Sequence, residues 1–242
     1  MQKPRPTSPK RLPSPFAHLA AIVALAAATS AAAVLSAEPK WPVVFKEDFE
    51  HGADRWTPTD EKAWKVVETA GGRVYSLFQQ SEYQPPHRSP VNFSLAKDVI
   101  VGDFALEARV RSTVKDYAHR DMCLIFGYQD PAHFYYVHLG KKTDDHANQI
   151  FIVNDAPRTK ISEKTTPGTN WDDEWRRLKL VRTAADGSIN VFWDDFERPI
   201  MTAVDKTFAW GQIGLGSFDD TGDWDDVVVR GVRVDRPRTR RK

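Results

Sequence analysis

The chain has 242 residues and a formal net charge of +1, which gives it length enough for one β-sandwich or jelly roll with a sizeable core. The charge is segregated: the four bases of residues 1–37 and the +5 of residues 233–242 leave −8 on residues 38–232, an acidic body that argues against nucleic-acid binding. Cys123 is the only cysteine, so an exported fold cannot rest on intrachain disulfides, and its strand context marks a small buried hydrophobe rather than a nucleophile.

Residues 1–37 have the layout of a secretory signal peptide. Lys3, Arg5, Lys10 and Arg11 precede an Ala-rich apolar run over residues 16–35, and Ala31, Ala33 and Ala37 offer cleavage points. The alternative is an uncleaved N-terminal anchor, but alanine is weakly hydrophobic. The expected organisation is therefore a leader (1–37), one folded domain (38–234) and a basic tail (235–242), in a secreted, periplasmic or cell-surface protein with no membrane span after cleavage.

In chain order, residues 41–49 predict a first strand. Residues 64–68 and 73–78 flank Gly71 and Gly72 and predict a hairpin. The prolines of QPPHRSP, from Gln84, predict a rigid loop. Residues 104–112 alternate cleanly: Phe104, Leu106, Ala108 and Val110 point one way, Glu107, Arg109 and Arg111 the other. Strands follow at 122–128, 134–139, 149–153, 175–182 and 189–193, with turns at Asp186-Gly187 and Asp194-Asp195, and two more from Gly211 and Asp225. A dozen short strands at regular spacing predict an all-β, antiparallel two-sheet sandwich.

Four of the seven histidines lie between His119 and His146, within the most strand-like stretch. Tyr136 and His138, at i and i+2, share one face of a strand. So many ring nitrogens, phenols and amides suggest a sheet face used for recognition or chemistry.

Three segments resemble secreted concanavalin A-like lectin/glucanase domains, including laminin-G-like and 3-keto-disaccharide hydrolase-like members. They are KEDFEHGADRW after Phe45, the pair FALEARVR from Phe104 and LIFGYQDPAHFYYVHL from Leu124, and IGLGSFDDTGDWDDVVV from Ile213. The resemblance covers residues 43–234. It implies a concanavalin A-like jelly roll with a groove for a polysaccharide or oligosaccharide, no organic cofactor, and a structural calcium between the first and last strands. Glu47, Asp48 and Asp225, with Asp223 and Asp226 of the same run, offer hard oxygens for that ion; the alternative is that these acids cap turns and pair with nearby bases. The paired-glutamate motif E-x-D-x-x-E of retaining glucanases is absent, which argues against that activity.

The groove chemistry stays open between catalysis, which we place first, and a non-catalytic glycan-binding module or cell-surface structural domain. A glycoside hydrolase needs two carboxylates, one of them protonated. Glu107 is a candidate, partnered by Asp144, Asp145 or Asp155. A polysaccharide lyase needs a cation for the uronate and groups for proton transfer. Tyr136 and His138 supply the proton transfer, and Arg88, Arg109, Arg111, Arg120, Lys141 and His146 supply the charge. Gln149, Asn154 and Arg158 are positioned for sugar hydroxyls. The competing readings are a solvated Glu107–Arg109 pair, a hydrogen-bonded structural His138 and a core Tyr136. The spacing of His133, His138 and His146 matches no zinc motif.

Overall fold

The computed structural model describes Met1 and residues 40–236. The expected leader and the end of the basic tail lie outside the described residues. Among the described residues, fifteen strands form: β1 Val43–Glu47, β2 Trp56–Pro58, β3 Trp64–Thr69, β4 Gly72–Leu77, β5 Asn92–Ser112, β6 Asp121–Asp130, β7 His133–Gly140, β8 Gln149–Asn154, β9 Thr159–Lys160, β10 Ser162–Thr165, β11 Arg176–Thr183, β12 Ser188–Trp193, β13 Met201–Val204, β14 Gly211–Ser217 and β15 Gly222–Arg233. The helical content of the described residues is one 3-10 turn, Glu61–Ala63, capped by the Asp60 carboxylate accepting from the Lys62 N–H.

The two layers share one strand. Residues 92–101 of β5 pair with β14, and residues 94–96 with β2; β6, β7, β8 and β9 continue that layer. Residues 104–110 pair with β11, which leads to β12, β13 and β10. On its other side this half of β5 pairs with β15, which carries β1 and β4, and β4 carries β3. Asp98 at φ 57° and the shift in register between Gln212 and Gly214 mark irregularities in the first half of β5 and its partner. The strand therefore starts twelve residues before the regular alternation that predicted it.

The predicted alternation of residues 104–110 is observed. Phe104, Leu106, Ala108 and Val110 are buried in the main core with Leu124, Phe126, Val137, Leu178, Leu180, Trp224 and Val229. Glu107, Arg109 and Arg111 are half-buried on the opposite face. The layer holding β6 and β7 differs, because both of its faces are covered. Met122, Leu124, Tyr135, Val137 and Leu139 join the main core. Cys123, Ile125, Phe134, Tyr136 and Phe151 form a second apolar cluster with Phe93 and Val153, and Tyr83, just before the proline-rich loop, and Phe218 pack against it. Strands buried on both faces read as nearly continuous hydrophobic runs, as β6 does.

The two faces of β5 set opposite sensitivities to substitution. Leu106→Ala, at a fully buried position, is expected to destabilise the fold by about 2–5 kcal/mol. Glu107→Ala, one residue on, is expected to cost about 0.5 kcal/mol or less. Chemical-denaturation midpoints of the two variants check this contrast.

Candidate functional site

The face of the second layer opposite the core carries a charged ladder. Antiparallel register sets Arg111 opposite Asp223 and Arg109 opposite Asp225. The Arg111 guanidinium donates to Asp223 at 2.6 Å, and Arg109 donates to Asp225 at 3.4 Å and to Asp226 at 3.2 Å. Two successive carboxylates reach one guanidinium because of a bulge. The register shifts between Asp225 and Val228, and Asp226 takes φ 49°, so Val227 still returns to the core. Arg230 reaches Glu107 at 3.4 Å. On the β11 side, Arg177 stands opposite Arg109 and Lys179 opposite Glu107.

Aromatic rings back this ladder. The guanidinium carbons of Arg109 and Arg111 lie 4.7 and 5.0 Å from the centre of the Trp175 ring, and that of Arg177 lies 4.4 Å from Phe196. Three hollows follow the polar edge of β5. One of about 260 Å³ is lined by Glu107, Arg109, Arg177, Phe196 and Asp226. The next, of about 280 Å³, is lined by Thr69, Gly71, Arg109, Arg111, Trp175 and Asp225. The third, of about 340 Å³, is lined by Arg111, Thr113, Lys115 and Asp173. Arg109 belongs to the first two and Arg111 to the last two, so the hollows are consecutive. Burial pushes the Asp225 carboxyl up to about 6; the charge of Asp226 adds to this, while the Asp226 amide and Arg109 oppose it.

The outer face of the first layer is a buried polar knot. Asp121, Cys123 and His138 converge there, Cys123 directly opposite His138 in the β6–β7 register. His138 Nε2 is 3.1 Å from Asp121 Oδ2, and Nδ1 is 2.9 Å from the His146 carbonyl. Both ring nitrogens face oxygen atoms, which fixes the orientation of the ring. Asp121 also accepts from the Phe218 N–H at 2.9 Å and the Ser217 hydroxyl at 3.2 Å. Burial pushes its carboxyl up, but His138, the Phe218 N–H and the Cys123 thiol together hold it below the usual range. Tyr136 is fully buried and accepts from Arg158 Nη1 at 2.9 Å. Its burial pushes the phenol far above its ordinary range. At the rim, Asp220 accepts from the Tyr117 hydroxyl and the Asp121 N–H, each at 2.7 Å, and burial followed by the Asp121 charge lifts it to about 6.

The sequence-predicted residues therefore divide between two outer faces of the sandwich. Glu107, Arg109, Arg111 and Asp225 meet on the charged ladder. Tyr136, His138 and Arg158 meet in the buried knot, and the His146 carbonyl anchors His138. Gln149 is buried and donates to the Asp144 carbonyl. Arg120, 1% exposed, is a clamp bonded to Ser112, the Asp172 carbonyl and Asp173. Lys141 pairs with Asp116. Arg88 is exposed, and its carbonyl accepts from the Arg158 N–H. Asn154 is exposed at the end of β8, opposite His133. His133 pairs with Asp130 and Asp155, away from His138.

Glu47 caps the Phe49 N–H and faces Arg55, Asp48 accepts from the Glu50 N–H, and Asp225 is tied to Arg109. Among the described residues, the groups of three whose ligand atoms come within 4.8 Å of one another are Asp121/Cys123/His138 and Asp121/Asp219/Asp220. Glu47, Asp48 and Asp225 do not form such a group. Sequence reasoning did not single out Asp121 or Trp175 as site residues, and it offered Asp223 and Asp226 only as calcium oxygens, not as partners of the arginines. Asp223 and Asp226 meet their arginines across sequence separations of 112 and 117 residues, which only strand register reveals.

No family model matches the chain, and no curated protein does. Solved structures share its concanavalin A-like jelly-roll fold. The carbohydrate-binding module CBM66 from Bacillus subtilis is 20% identical, with TM-score 0.52 over 73% of this chain and 96% of that one. The cellulose induced protein Cip1 is 15% identical, with TM-score 0.54 over 79% and 99%. Domain 4 of AbnA, a GH43 extracellular arabinanase from Geobacillus stearothermophilus solved with arabinotriose, is 10% identical, with TM-score 0.52 over 81% and 96%.

Raised carboxyls give the site a pH dependence of known sign. Asp220 and Asp225 bind protons more tightly folded than unfolded, so stability falls as pH rises from their unfolded range near 3.8 through about 6. The lowered Asp121 acts with opposite sign, at or below its ordinary range. Thermal midpoints between pH 4 and 7 are expected to decline, and the decline should be shallower in an Asp220→Asn/Asp225→Asn double variant.

Proposed function

We propose that this chain is an exported glycan-recognition domain that binds a saccharide along the charged ladder. One observation carries the reading: three consecutive hollows run along the outward face of β5, joined by Arg109 and Arg111, with Trp175 lining the middle one. A saccharide presents apolar ring faces for an indole and hydroxyls for planar, fixed donors and acceptors. Asp223 and Asp225, 8% and 12% exposed at their side chains, hold the guanidiniums in place and so lower the ordering cost of binding. The carbohydrate-binding module and the arabinotriose complex among proteins of similar fold support the same class of ligand.

Binding is favoured over elimination because Tyr136 is sealed and His138 nearly so, with Arg109 on the other layer. A second reading rests on Asp225. A carboxyl held at about 6 beside Asp226 in an open hollow suits a general acid of a glycoside hydrolase.

A polysaccharide panel tested by affinity electrophoresis and calorimetry decides between these readings. Trp175→Ala and Arg109→Ala are each expected to weaken binding of a responsive glycan by about tenfold or more. Unchanged affinity in both variants would remove the ladder as the binding face. Release of reducing ends by the parent protein, lost in Asp225→Asn, would convert the module into a hydrolase.

A further inference from the structure

The buried knot holds three costly groups. An imidazole, a carboxylate and a thiol are all under 10% exposed and face one another. An ion pair between His138 and Asp121 accounts for two of them. Cys123, the one member of the second apolar cluster that carries a metal-ligating atom, alternates onto the same face and sets its sulfur 3.4 Å from Asp121 Oδ2. Burying a charged pair carries a desolvation cost that a well-packed apolar pair avoids.

We propose that Asp121, Cys123 and His138 form a zinc site. The donor set of one nitrogen, one sulfur and one oxygen suits a borderline-soft divalent ion rather than calcium. With ordinary zinc–ligand bonds, tetrahedral coordination spaces neighbouring donor atoms roughly 3.4–3.6 Å apart. The Asp121–His138 and Asp121–Cys123 separations are 3.1 and 3.4 Å, within a few tenths of an ångström of that spacing, and the His138 and Cys123 donor atoms lie within 4.8 Å of each other.

The surroundings match as well. A zinc-bound histidine commonly donates its remaining N–H to a carbonyl or carboxylate, which fixes the ring. His138 Nδ1 does so to His146, leaving Nε2 toward the centre. Ser217 and Phe218 hold the Asp121 carboxylate from behind. Asp219, exposed, comes within 4.8 Å of Asp121 in a separate group with Asp220, so the three residues of the knot leave the fourth zinc position to water. Ligation needs the thiolate and a bare Nε2. Binding therefore releases the Cys123 thiol proton to solvent.

Cobalt(II), which takes up zinc-type coordination, is the optical probe. The full chain, stripped with a chelator, is titrated with cobalt and then with zinc. One equivalent is expected to give a thiolate-to-cobalt charge-transfer band and the intense visible bands of tetrahedral cobalt, both erased by zinc. Zinc at a hundredfold excess over its dissociation constant should raise the unfolding midpoint by roughly 5–10 °C. Cys123→Ser, close in shape and unburdened by a cavity, should lose the charge-transfer band and the zinc-induced rise; His133→Ala should keep both. A second measurement needs no variant: zinc should shield the Cys123 thiol from alkylation in mild denaturant. Absence of the band in the parent protein, its survival in Cys123→Ser, or alkylation that zinc leaves unchanged would each overturn the site.

Discussion

The fold depends on a single strand serving two hydrogen-bonded layers. β5 is 21 residues long, and its two halves pair with different partners. Once Phe104, Leu106, Ala108 and Val110 enter the core, the outward direction of Glu107, Arg109 and Arg111 is settled, since a slip of one residue would exchange the faces. The same pairing brings β15 alongside and sets Asp223 and Asp225 against the arginines. The layer order, the core and the charged ladder are thus consequences of one register.

The ladder and the knot manage charge in different ways. On the ladder, Arg109 and Arg111 remain about a third exposed, and solvent screens their pairs. Those pairs contribute order more than stability. In the knot, Asp121 is inaccessible and every acceptor around it needs a donor. Losing one partner there would strand another polar group, so the knot tolerates change less than the ladder does.

The fold class was legible in the sequence because turn residues and alternation repeat along most of the chain. Residues 104–112 were read correctly since one face packs and the other meets water. The first half of β5 was not read, because Asp98 and the irregular pairing with β14 break the period. The Tyr136–His138 pairing on one face was correctly inferred from i, i+2 spacing. Nothing local showed that Tyr83 and Phe218 cover that face, or that Asp121 awaits His138 across a hairpin. The ladder was half visible: its arginines lie in a clean strand, whereas the aspartates needed the register of β15 and the bulge at Asp226.

A chain with this much β structure risks open-ended association, because any unpaired strand edge can template another molecule. The strands that terminate the layers answer that risk. β2 has three residues and contains Pro58, and β9 has only two. β10 carries Glu163 and Lys164, β3 carries Lys65 and Glu68, and β1 carries Lys46 and Glu47. Each border is short, charged or interrupted by proline, features that disfavour edge-to-edge pairing with a neighbour.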